Sequence, residues 1–139
     1  MLVLLDSNVF FSALLKGGSR PARIVDAWLE GSFRLLCCQQ QIDEIRVASH
    51  HPKLRGKVQP HEIGTLLNNL YRAEIWTKPI PRRHEAADPT DSFLLNLIEA
   101  AQPDYAVTGD KRSGLLEVAK LGRTRILTVT AFCSDVLRV

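Results

Sequence analysis

Cysteine is scarce in this chain of 139 residues, and its placement offers no covalent framework. Cys37 and Cys38 are adjacent and Cys133 is distant, so no disulfide scaffold is expected and a reduced, cytoplasmic setting is the default reading. His50, His51, His61 and His84 show no spacing that would build a zinc site with Cys37 or Cys38. Uninterrupted apolar runs fall far short of the ~20 residues that a membrane span requires, which argues against a membrane partner. The opening Met1-Leu2-Val3-Leu4-Leu5-Asp6 has neither a basic region nor a small-residue cleavage site, so it is not read as a signal peptide. There is no P-loop, no dinucleotide-type glycine fingerprint, no internal repeat and no low-complexity linker. A large excess of charge of one sign is absent as well. Eighteen Lys and Arg against fifteen Asp and Glu leave a net +3, which permits a nucleic-acid partner without demanding one.

What remains is an ordinary globular composition, 45% apolar and 24% charged, of a length suited to one domain over residues 1–139. Short β-rich runs alternate with helical patterns, which predicts an α/β domain around a mainly parallel sheet. Leu2 to Leu5 is a continuous apolar run, as expected of a central strand buried on both faces. Further strands are predicted at Phe33 to Cys38, Glu74 to Trp76, Tyr105 to Thr108 and Arg125 to Val129. Helices are predicted over Asn8 to Leu15, Pro21 to Glu30, Gln39 to Ser49, Pro60 to Tyr71 and Ser92 to Ala101. Two shorter ones follow, around Ser113 to Ala119 and over Ala131 to Leu137. Pro79 to Pro89, with three prolines, reads as loop.

Four carboxylates fall where strands end or the next helices begin. Asp6 closes the first apolar run and Asp110 closes Tyr105-Ala106-Val107-Thr108-Gly109, while Glu44 and Asp91 lie in helices. In an open α/β sheet the carboxyl ends of the strands form the rim where ligands bind. Carboxylates gathered there repel one another unless a cation lies between them, so the pattern points to a hard divalent metal and to chemistry on phosphate. Each acid has a plainer reading. Asp6 is as good an N-cap as a ligand, Asp110 can cap a short helix, and Asp43 competes with Glu44. Asp88 suits the N-cap position before Pro89, which leaves Asp91 at the third helical position as the site residue. Of the clustered cations, Lys53, Arg55 and Lys57 read as a solvated stretch. Lys111 and Arg112 adjoin Asp110, where they can meet substrate phosphates.

The set, in this order, resembles the PIN domain, a family of small metal-dependent nucleases. Leu5-Asp6-Ser7-Asn8-Val9 matches its opening pattern, and Asp88-Pro89-Thr90-Asp91-Ser92-Phe93-Leu94 its Asp-Pro-x-Asp-x-Phe-Leu stretch. Asp104-Tyr105-Ala106-Val107-Thr108-Gly109-Asp110 matches the approach to the last acid. The chain looks most similar to the VapC-like group of bacterial and archaeal PIN proteins that includes toxin components. The resemblance implies a three-layer α/β/α sandwich with a mainly parallel central sheet of four to five strands. It also implies that Asp6, Glu44, Asp91 and Asp110 hold Mg2+ or Mn2+, that Ser7 or Asn8 supports the site, and that Thr108 lines it. The implied activity is hydrolysis of single-stranded or structured RNA, with a possible antitoxin partner and a homodimer built on the helices at Pro21 to Glu30 and Pro60 to Tyr71. Two features depart from the family pattern. Arg112 stands where a further Asp is frequent, and Cys38-Gln39-Gln40-Gln41 replaces a Ser-Pro-type helix start. Arg112 keeps a second expectation open, a catalytically silent module that binds RNA or protein.

Overall fold

The computed structural model describes residues 1–109 and 114–139. Among these, six strands form one sheet: β1 (Leu2–Leu5), β2 (Arg34–Cys38), β3 (Glu74–Trp76), β4 (Tyr105–Thr108), β5 (Lys120–Leu121) and β6 (Thr124–Thr128), in spatial order β3-β2-β1-β4-β6-β5. All neighbours pair in parallel except β5 with β6. The sheet therefore has one strand more than the four to five expected. The addition is a two-residue antiparallel edge, too short to leave any alternation in the sequence.

Side-chain alternation along the strands divides the core into two layers. Val3, Leu5, Leu35, Cys37 and Val107 face α1 (Ser7–Leu15), α2 (Arg20–Leu29), α3 (Gln39–Ala48) and α5 (Pro60–Leu70), and Phe132 joins them from the C-terminal segment. Leu4, Leu36, Cys38, Ala106 and Ile126 face the other way, onto Leu94, Leu97 and Ile98 of α6 (Pro89–Ala101) and Leu115 of α7 (Gly114–Val118). This is the expected three-layer sandwich. It also separates the two adjacent cysteines, which lie in opposite layers, both reduced and buried. Burial pushes the Cys37 thiol up to about 12 and raises that of Cys38.

Departures from the predicted elements are local. A single helical turn, α4 (Pro52–Arg55), starts at the proline of the basic stretch and leaves Lys53, Arg55 and Lys57 exposed, as solvated cations should be. The C-terminal helix begins earlier, at α8 (Val129–Ala131), and continues as a π-helical segment over Phe132–Leu137. Trp28 packs edge-on against Phe10 with ring centroids 6.3 Å apart, the packing role its apolar setting suggests. No helix among the described residues is long and apolar enough to cross a membrane.

Strand order fixes where a site can form. The chain winds outward from β1 through β2 to β3, then crosses back to start β4 on the opposite side of β1. The winding direction thus reverses between β1 and β4, and a crevice opens at their carboxyl ends.

Candidate active site

Asp6 is the first residue beyond β1, and its backbone N–H donates to the Val107 carbonyl of β4 at 2.9 Å, which fastens it to the crevice. Its side chain is 2% exposed. One carboxylate oxygen accepts from the Asn8 backbone N–H at 3.2 Å, and the other accepts from the Thr108 hydroxyl at 3.3 Å. The capping role and the site role are therefore compatible. One oxygen caps α1, while the other is held by the last residue of β4, itself fully buried.

Glu44 reaches the same corner from α3. The Ser7 hydroxyl donates to Glu44 Oε2 at 3.4 Å, so consecutive residues Asp6 and Ser7 connect to β4 and α3 respectively. Asp43, the competing acid, is engaged elsewhere on the surface. Its Oδ1 accepts from Gln39 Nε2 at 2.9 Å and from Arg46 at 3.2 Å. Asn8 is exposed and lines a cleft beside the crevice.

Asp91 lies in the first turn of α6 and is 4% exposed, an unusual burial for a carboxylate in a helix's opening turn. Asp88 is the N-cap, accepting from the Thr90 backbone N–H at 2.8 Å, the role expected of it. One turn beyond Asp91, Leu94 shares a narrow gap at the end of β1 with Asp6 and Thr108. Asp110, Lys111 and Arg112 lie outside the described residues.

Two contributions went unforeseen. Gln41, only 2% exposed, donates from Nε2 to the Leu5 carbonyl at 3.0 Å, and so braces the residue before Asp6. Its Oε1 is buried and has no hydrogen-bond partner among the described residues. The run of three glutamines after an apolar strand was the available signal, since one of three must face inward on a helix. Asn96 is the other. Its amide accepts from the backbone N–H groups of Arg83 and His84 and donates to the His84 carbonyl, which holds the proline-rich loop against α6.

The donor set here is carboxylate and hydroxyl oxygen without sulfur, and the histidines are exposed or, in the case of His84, hydrogen-bonded to Glu99 at 2.9 Å. Such donors suit a hard divalent cation. No three His, Cys, Asp or Glu side chains among the described residues are grouped closely enough to hold a metal by themselves. Asp6 thus sits at an α/β switch point, with Glu44 joined to the adjacent Ser7 and Asp91 buried in the first turn of α6, an oxygen-donor set suited to metal-assisted chemistry on an anion.

Comparison with known proteins agrees with that class. The PIN domain family model matches residues 2–112, so the chain belongs to the PIN domain family. Proteins of this family are in general nucleases that use divalent metal ions. Among curated proteins, none matches the chain.

Proposed function

We propose that this protein is a metal-dependent endoribonuclease that hydrolyses phosphodiester bonds of single-stranded or structured RNA. The observation that carries the reading is the placement of Asp6 in a PIN-family chain, tied to β4 through Val107 and Thr108 and followed by Ser7, whose hydroxyl donates to Glu44. Asp6, Asp91 and Glu44 would hold Mg2+ or Mn2+, with Asp110 completing the acidic quartet. Such an ion, when bound, lowers the pKa of a bound water and neutralises charge developing on the phosphate. The chain's own residues orient the ligands. Thr108 fixes one Asp6 oxygen, Ser7 holds Glu44, and Gln41 fixes the Leu5 carbonyl.

Asp6→Asn and Asp91→Asn should each abolish cleavage of RNA in Mn2+ while circular dichroism and melting stay close to wild type. Cleavage persisting in either well-folded variant would sink the assignment. The silent-module alternative is favoured by Arg112 in place of an acid. Calorimetric titration with Mn2+ separates the two, because a silent module should show no heat that depends on the acids.

The partner readings extend this proposal. As a VapC-like toxin, the chain would pair with an antitoxin able to place a cation among the acids. As a homodimer it would use α2 and α5, and two features support that choice. These helices flank an apolar groove lined by Phe10, Leu14, Val25 and Leu66, and Leu29 on its edge is 48% exposed. Sedimentation of the purified chain should give twice the monomer mass, reverting to monomer in Leu29→Glu. A wild-type monomer at micromolar concentration would remove the dimer reading.

A further inference from the structure

A cleft of about 570 Å³ opens beside the acidic crevice, between the end of α1 and the start of α2, and reaches Asn8 and Gly109 at the ends of β1 and β4. Lys16, Arg20 and Arg23 line it, no acidic residue among the described residues does, and all three cations are exposed. Among the described residues none of the three forms an ion pair. The turn between the helices explains the opening. Gly18 takes a left-handed φ of +75°, and a Cβ built at Gly17 or Gly18 would meet nothing within 4 Å, so the chain folds back without filling the space. Ser19 then caps α2, which places Arg20 and Arg23 three apart on one side of the helix and its positive end toward the cleft.

The cleft on the other flank of the crevice differs in chemistry. It includes Lys78 and Arg82 but also Glu85. Lys78 sits 5.4 Å from the centre of the Trp76 ring, and His84 is bound to Glu99. Among the described residues, cations without an ion-pair partner thus outnumber acids more strongly on the α1–α2 side. Keeping three cations together without a counter-charge is costly unless an anion visits them, and an open cleft holding cations in series suits a repeating anion better than a compact one.

We propose that the α1–α2 cleft, through Lys16, Arg20 and Arg23, is the track along which the phosphates of a single-stranded RNA run into the acidic crevice from one side. The proposal rests on the nuclease reading, and it adds where substrate affinity resides and in which direction the strand leaves the site. Phosphate contacts position a strand without reading its bases, so this cleft sets affinity and register, not sequence preference.

The test measures binding of a fluorescent short oligouridylate to the full-length protein in EDTA, across about 50 to 200 mM KCl. Three proteins are compared: wild type, Lys16→Ala/Arg20→Ala/Arg23→Ala, and a charge-matched Lys53→Ala/Arg55→Ala/Lys57→Ala. The cleft variant should lose about two units from the slope of log affinity against log salt, near 0.7 per cation removed, and the control should keep the wild-type slope. Comparable binding of oligodeoxythymidylate supports a phosphate track. An unchanged slope in the cleft variant, or an equal loss in both variants at intact melting temperature, overturns it. So does polyglutamate competing as strongly as the oligouridylate, which would make the cleft a seat for an acidic protein segment. Because no divalent metal is present, the result is independent of whether Asp6→Asn abolishes hydrolysis.

Discussion

Replacing Thr108 with valine tests the site at its tightest joint. The residue is fully buried, and its hydroxyl donates to Asp6 Oδ2 at 3.3 Å, so the near-isosteric change removes one donor and little volume. Losing a partner of a buried carboxylate oxygen costs about 1–3 kcal/mol, and the lower half of that range applies because the bond is long and Asp6 also accepts from the Asn8 backbone. At roughly 4 °C per kcal/mol for a chain of this size, the melting temperature should fall by several degrees. Thr108→Ser loses only a methyl group and costs about 1 kcal/mol, so stability alone does not separate the two. Activity does. The serine variant keeps Asp6 oriented, whereas the valine variant should lose cleavage by roughly tenfold, as expected when a group orienting a metal ligand is removed. A double-mutant cycle with Asp6→Ala, read by urea denaturation, completes the test. Coupling of about 1–2 kcal/mol is expected, and an additive cycle, within about 0.3 kcal/mol, would refute the bond as a determinant of the site.

Glu44→Gln should reduce cleavage roughly 10- to 100-fold, while Asp43→Asn, which disturbs only surface contacts to Gln39 and Arg46, should stay near wild type; the reverse order would move the site to the other acid. Alkaline pH should expose the buried thiol of Cys37. Both folded and unfolded forms keep the proton below pH 9, but above it the unfolded thiol ionises while the folded one, held up to about 12, does not. Stability linked to Cys37 is therefore fully present below pH 9 and lost as pH rises toward 12, in all about 4 kcal/mol. Cys37→Ala should accordingly be less stable than wild type at pH 8 and overtake it by pH 11 in urea melts. A difference that does not vary with pH would refute the linkage.

Much of this geometry was legible because it follows from local chemistry. A run of four apolar residues ending in Asp-Ser-Asn favours a buried strand followed by a capped helix, and Leu2–Leu5 with Asp6 before α1 is the outcome. Asp88 and Asp91 separate for the same reason. A cap must lie just outside the helix, where Asp88 accepts from Thr90, and the third helical position points inward when Leu94 and Leu95 do. Glu44 was less legible, because two adjacent acids on a helix differ by about 100° in direction and the apolar positions Ile42 and Ile45 do not decide which meets β1. The choice is made by Ser7, thirty-seven residues away in sequence.

The cationic cleft was illegible for a further reason. Lys16, Arg20 and Arg23 stand at positions that separately suit a helix end and a helix start, where solvated cations are ordinary, whereas the cations that cluster in sequence are Lys53 to Lys57 and, beside Asp110, Lys111 and Arg112. What unites the three is the left-handed turn at Gly18 together with the reversal of winding between β1 and β4, which puts that turn beside Gly109. Neither lies in the pattern of charges. Charge density along a sequence predicts a surface patch only where the residues share one element; where a turn brings two elements together, the topology creates the patch. For this chain the distinction is physical, since the run at Lys53 to Lys57 surrounds one isolated helical turn, whereas the dispersed three converge on the mouth of the acidic crevice.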